Sequence, residues 1–310
     1  MGRHASSRTL ARRPVAPVGT SSPGCQLTLE GVAARPFLKW AGGKAKLAPT
    51  VLDRAPQAFD RYHEPFVGAG AVFFALRARG AAAATLTDVN PALIETFQVV
   101  RDDPDGLCRA LKPLAESYLP ASHVNRAAQY YEVRASTPST AVARAARVIF
   151  LNRTCFNGLY RENRSGRFNV PHGRYLRPGI LDAGLLTACS EALRDAELRC
   201  GDFDEACAAA TAGDFVYLDP PYPPLSATAS FTSYTGGSFG FAAQTRLRDA
   251  FDSLSRRGVA AVLSNSDHEA IRALYEGRGY RFETVPMSRA INSVGSKRAA
   301  VPELLISNFS

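Results

Sequence analysis

The sequence predicts an α/β fold built on a parallel sheet, and three observations carry that prediction. Residues 215–218, Phe-Val-Tyr-Leu, are an apolar run without polar alternation, as a strand buried on both faces of a parallel sheet requires. Residues 62–74 read as strand, tight glycine turn and helix, followed by a short strand at 85–87 that ends in Asp88. From residue 181 onward, helical and strand-like patterns alternate. With 310 residues, 46% hydrophobic and 21% charged, the chain has ordinary globular composition and enough apolar residues for a sizeable core.

In chain order, residues 1–34 come first as a basic leader. Arg3, Arg8, Arg12 and Arg13, with Arg35 just beyond, face only Glu30 among Pro, Ser and Gly, so no packed core is expected there. The leader lacks the apolar centre of a signal peptide, and no apolar run approaches the ~18 residues that span a bilayer. A cytoplasmic protein without a membrane segment is expected. The six cysteines contain no C-x-x-C pair and the five histidines lie far apart, so neither a metal site nor a disulfide framework is expected.

Residues 36–44, Pro-Phe-Leu-Lys-Trp-Ala-Gly-Gly-Lys, look like a phosphate loop but fail its spacing. Leu38 stands where a Walker A loop needs its first glycine, and Ala45 where it needs a hydroxyl. The single Trp, two glycines and Lys44 still suggest a loop that brings backbone and ring against a ligand. The next turn contains Gly68 and Gly70, and glycines there let the backbone approach a ligand closely. Asp88, 20 residues after Gly68, is placed to meet ribose hydroxyls. A nucleoside cofactor is therefore expected. Phe73 occupies the third glycine position of the dinucleotide fingerprint, which argues against a nicotinamide oxidoreductase.

From Pro91 to about Arg147 the chain reads as short helices interrupted at Pro104, Pro113, Pro120 and Pro138. Residues 150–175 follow, alternating Arg, Asn, Phe, Tyr and Gly, with a hairpin between two strands expected at 164–167. Between Arg144 and Pro178 eight arginines face one acid, Glu162, so the net charge of +9 is concentrated in this segment and the leader. That placement marks a polyanion-binding surface. Arginine bonds guanine edges, asparagine pairs with adenine or phosphate, and an exposed ring wedges between base steps. On charge alone a DNA-binding module without catalysis would satisfy the pattern.

Beyond Pro178 we expect a helix near 181–195, a strand at 197–200 leading to Asp202 and Phe203, and then the 215–218 strand. A helix at 241–257, a strand at 259–263, a helix at 267–275 and strands at 281–285 and 303–306 complete the chain. The 215–218 strand ends in Asp219-Pro220-Pro221-Tyr222. Neither proline has an N–H, so the chain leaves the sheet just past Asp219, at its carboxyl edge. Asp219 and the Pro220 carbonyl are two acceptors beside a ring, a set that suits a planar amine with two hydrogens. This constellation argues against a non-catalytic binder.

Together these motifs resemble the DNA adenine-N6 methyltransferases of the Dam type, the alpha-group D12 class. The resemblance rests on residues 39–44, 66–70, 88–90, 156–161, 168–171 and 219–222, which occur in that family's order. It implies a class I S-adenosylmethionine-dependent methyltransferase fold, a Rossmann-like doubly wound seven-stranded sheet. Residues 35–97 and 179–310 would form the catalytic domain, with a mostly helical recognition domain at 98–178. The implied cofactor is S-adenosyl-L-methionine, near Trp40, Lys44, Gly68 and Gly70, with Asp88 at the ribose, Asp202 and Phe203 flanking the adenine, and Asp219 beside the methyl group.

The implied partner is double-stranded DNA, read as GATC, by a protein expected to act as a monomer without metal. Lys39 and Arg161 would meet guanines, Leu159 and Pro171 neighbouring bases, and Phe156 would be the wedge. Arg153, Asn157 and Asn163 complete the expected DNA-contacting set. Phe156 replaces the family's usual tyrosine, and His172 a common phenylalanine. Asp219, Pro220 and Tyr222 would form the catalytic group. With an aspartate pKa near ~4, Asp219 is expected to act by orientation and electrostatics before general-base catalysis.

Overall fold

Seven strands form one sheet in the computed structural model, which describes residues 31–80, 83–222, 239–286 and 302–309. The expected leader lies outside the described residues except for its last few positions. The strands are β1 (Arg61–Glu64), β2 (Ala83–Asp88), β3 (Ala196–Cys200), β4 (Phe215–Leu218), β5 (Ala260–Ser266), β6 (Arg281–Val285) and β7 (Glu303–Ser307). Their spatial order is β3-β2-β1-β4-β5-β7-β6. The first five strands of that order are parallel, and β7 runs antiparallel between β5 and β6. Chain order reverses between β1 and β4, and ligands of such sheets bind outside the carboxyl ends of the strands at that reversal.

β4 is fully buried along its length, which explains its unbroken apolar sequence. The helices are α1 (Ala48–Arg54), α2 (Ala71–Ala78), α3 (Pro91–Asp102), α4 (Pro104–Tyr118), α5 (His123–Ala135), α6 (Ala141–Thr154), α7 (Ala183–Leu193), α8 (Phe203–Ala209), α9 (Phe241–Arg256) and α10 (Glu269–Tyr275). Short polar side chains start most of them. Asn90, Asp103, Ser122, Thr140, Asp182 and Asp202 each accept a hydrogen bond from an N–H of the first turn. Between β2 and β3 the chain runs through α3 to α7, and one apolar cluster joins them to the sheet: Leu107, Tyr118, Tyr130 and Phe150 share it with Leu86 and Phe215.

Several local expectations need correction. Pro113 does not end a helix; it lies on the exposed side of α4, where its missing N–H leaves a carbonyl open to solvent. The turn expected at 164–167 forms, with Asn163 and Asn169 N–H groups bonded to the Arg167 and Arg161 carbonyls, but the strands beside it are no more than an isolated Glu162–Phe168 bridge, and a second bridge joins Cys155 to His172. α1 and α8 are additional to the sequence reading, both only seven residues long and so with little periodicity to detect. β5 runs on through Ser264, Asn265 and Ser266, polar residues that an apolar-run criterion excludes. Among the described residues no helix is long and apolar enough to cross a membrane.

Candidate active site

The turn between β1 and α2 is built by backbone conformations that favour glycine. Gly68 has φ +48° and Gly70 has φ +70°. Asp88, at the end of β2, fastens this turn: its Oδ2 accepts the Gly68 N–H at 3.2 Å and its Oδ1 accepts the Asn90 N–H at 3.0 Å. Burial raises the Asp88 pKa, and these backbone donors oppose the rise. The Trp40 indole lies against the turn so closely that a Cβ on Gly68 would stand 2.9 Å from its Cδ1. Trp40, Gly68, Gly70 and Asp88 are thus brought together. Beneath them Glu64 is buried, accepts the Tyr62 hydroxyl at 2.9 Å and the Phe73 N–H at 3.1 Å, and is pushed by burial to a pKa of about 8.

Lys44 joins this region to Asp219. Its ammonium is 2.9 Å from Asp219 Oδ1 and 3.1 Å from Glu303 Oε1, and donates to the Gly42 carbonyl at 3.0 Å. Burial opposes the charge on Lys44, but the two carboxylates outweigh it and hold the pKa above the ordinary lysine value. Ser264 on β5 donates to the same Asp219 oxygen at 3.1 Å and pairs with the Tyr217 hydroxyl at 2.9 Å. Both donors converge on Oδ1, and among the described residues none engages Oδ2. Burial raises the pKa of Asp219 despite the ammonium beside it, so the expectation of an ordinary aspartate pKa is corrected.

The Tyr222 hydroxyl donates to Glu303, and the Lys44 ammonium lies 4.6 Å from the Tyr222 ring centroid. Gln244 of α9 donates to the Pro221 carbonyl at 3.2 Å, not to that of Pro220, and is itself held by Asn265 at 2.9 Å. Asp202 caps α8 and receives Arg246 at 2.9 Å. Phe203 is only 2% exposed; its ring packs against Phe66 and Phe239 and under the Arg246 guanidinium.

The arginine-rich segment is stitched to the Trp40 loop. Asn152 of α6 accepts the Lys39 N–H at 2.8 Å and donates to the Lys39 carbonyl at 2.7 Å. Trp40 stacks on Tyr160 at 5.3 Å between ring centroids, and the Lys39 ammonium sits 3.7 Å from the Tyr175 ring centroid. Phe156, 46% exposed, stands at the tip of this surface with Asn157 in the left-handed region at φ +56°. Pro171 is exposed nearby, its carbonyl accepting the Phe156 N–H, while Leu159 is partly buried. Arg161 is exposed and donates to Asn169 Oδ1 at 2.6 Å.

Two expected contacts are placed differently. Arg153 is partly buried and donates to the Phe37 carbonyl at 2.7 Å, and Asn163 turns its side-chain oxygen back onto the N–H groups of Ser165 and Arg167. Four polar residues of this region went unnoticed in the sequence: Glu64, Asn152, Ser264 and Glu303. Each interrupts or borders an apolar run, and a polar side chain in such a run was the available signal. No group of three or more His, Cys, Asp or Glu side chains that could hold a metal ion occurs among the described residues.

Residues 40–291 match the family model described as "D12 class N6 adenine-specific DNA methyltransferase". The type II methyltransferase M.MjaIII of Methanocaldococcus jannaschii is 40% identical over 288 residues, covering 89% of this chain and 99% of that protein. The type II methyltransferase M1.LlaDCHI of Lactococcus lactis subsp. cremoris is 37% identical, covering 89% and 95%. A DNA adenine methylase of Vibrio cholerae is 36% identical, covering 87% and 95%. With a sheet of the class I methyltransferase type and a family match over most of its length, this chain belongs to the D12 class of N6 adenine-specific DNA methyltransferases.

Proposed function

We propose that the protein methylates N6 of an adenine flipped out of duplex DNA, within the sequence GATC, using S-adenosylmethionine. One observation carries the proposal: Lys44 and Ser264 both meet Asp219 at Oδ1, and among the described residues none engages Oδ2, while the next residue, Pro220, adds a carbonyl acceptor. An exocyclic amine carries two hydrogens, and these two acceptors accommodate both. The nitrogen lone pair is delocalised into the adenine ring, and bonding both hydrogens favours the tetrahedral nitrogen that attacks a methyl group. S-adenosylmethionine, when bound, supplies that methyl on a cationic sulfonium.

The residues fit such a cofactor. The close-approach glycines Gly68 and Gly70, the Trp40 ring and Asp88 would line one side, with Asp88 meeting the ribose hydroxyls. Lys44 meets Asp219, and Asp202 and Phe203 would flank the adenine, although the Phe203 ring is only 2% exposed and already packs against Phe66 and Phe239. Two carboxylates facing one ammonium leave the pocket one negative charge in excess, which suits a cationic donor. As the amine loses its proton after attack, the raised pKa of Asp219 makes it a better acceptor than an exposed aspartate, while Lys44 holds it ionised beforehand.

The adenine reaches Asp219 only outside the helix, at an unstacking cost of a few kcal/mol. Tyr222 would stack on it, Phe156 fill the gap, and Lys39, together with Asn157, Leu159, Arg161 and Pro171 of the 98–178 region, read the duplex. Arg153 and Asn163 would act by holding that surface in shape. The test is incubation of the purified protein with labelled S-adenosylmethionine and unmethylated duplexes, followed by nucleoside analysis. N6-methyladenine should appear in GATC duplexes and be lost with Asp219→Ala; product in other sequences instead would overturn GATC. Arg161→Ala should reduce discrimination between GATC and a mismatched site by ~1–3 kcal/mol.

A further inference from the structure

We propose that Glu303, carried by the last strand, is a positioning residue for methyl transfer: it links the Tyr222 ring to the Lys44–Asp219 pair and so sets both faces of the adenine site together. This inference rests on Asp219 being the amine acceptor. Glu303 is placed by β7, whose antiparallel register pairs it with Ser266 of β5 and Val285 of β6. Its side chain is 9% exposed and turns to the carboxyl edge of the sheet, where it accepts from Tyr222 and meets Lys44 at 3.1 Å.

The arrangement shares one ammonium between two carboxylates. Lys44 spends its donors on Asp219, Glu303 and the Gly42 carbonyl, so whatever position it takes is a compromise between the two acids. Removing the charge of Glu303 leaves the ammonium to Asp219 alone. Asp219 then becomes a weaker acceptor, and Tyr222 loses the anchor that fixes its ring. The groups facing this pair from the packed elements are Glu64 and Tyr62 on β1, Tyr217 on β4, and Tyr222 itself. Of these, Glu64 is bonded to Tyr62 and Phe73, and Tyr217 to Ser264, so neither replaces Glu303 as a partner of Lys44.

The experiment compares Glu303→Gln, Tyr222→Phe, their combination and Asp219→Ala. In Glu303→Gln we expect kcat to fall about tenfold or more with the KM for DNA unchanged, a loss equivalent to about 1.4 kcal/mol. The Asp219 carboxyl, followed by carbon NMR in the free protein, should titrate at lower pH than in the parent. Tyr222→Phe keeps the ring and should lower kcat similarly, and the double variant should be no worse than the poorer single one, since both cut the same link. Wild-type kcat in Glu303→Gln with an unmoved Asp219 titration overturns the proposal. Should Glu303→Gln fail to fold, Tyr222→Phe, which leaves β7 intact, decides: unchanged kcat there overturns it equally. Asp219→Ala separates the two levels, because activity surviving in that variant refutes the role of Asp219, whereas its loss beside a normal Glu303→Gln refutes only the role of Glu303.

Discussion

Glu64 shows how one side chain makes stability depend on pH. Its pKa of about 8 in the fold, against an ordinary 4.5, means that the folded chain keeps a proton which the unfolded chain releases. The stability associated with that proton is fully present below the ordinary value and is lost as pH rises through about 8. Glu64→Gln retains an acceptor for Tyr62 and Phe73 and cannot ionise. Its Tm should therefore exceed that of the parent by a margin that grows from about pH 5 to about pH 9, measured by calorimetry. Asp219 and Tyr222 were legible because a proline pair after an apolar run announces the edge of a sheet. Glu303 and Ser264 stood out only as polar residues at apolar runs, because their partners, Lys44 and Tyr217, are remote in the chain and no local pattern names them.

Elements were read best where a cap or a glycine marks their start. Asn90-Pro91 and Asp103-Pro104 open α3 and α4 with a capping acceptor followed by a proline at the first helical position. The β1–α2 turn was equally legible, and it makes a specific demand. An alanine at residue 68 would adopt a left-handed φ of +48° and press its Cβ against Trp40 at 2.9 Å. Gly68→Ala should weaken S-adenosylmethionine binding by about tenfold or more, roughly 1.4 kcal/mol, with DNA affinity retained. Titration calorimetry with each ligand separates the two. In residues 155–172 the glycine at 166 marked a turn, but the strands expected beside it are reduced to isolated bridges.

Across the whole molecule, charge and sheet order divide the work. The net charge of +9 gathers in the leader and in residues 144–178, and this was visible without coordinates because charge needs no geometry to be counted. Arg164 and Arg167 are exposed in the turn after Arg161 and lie outside the set proposed to read bases. Replacing either with alanine should lower affinity for all duplexes alike and reduce the slope of log affinity against log salt by ~1, measured by fluorescence anisotropy. The sheet order has a different consequence. β7 alone connects β6 to the parallel strands, and it carries Glu303 to a lysine near the other end of the described chain. During synthesis on the ribosome, β6 emerges with no strand to pair with, and the pocket around Lys44 stays without its second acid until β7 has cleared the exit tunnel.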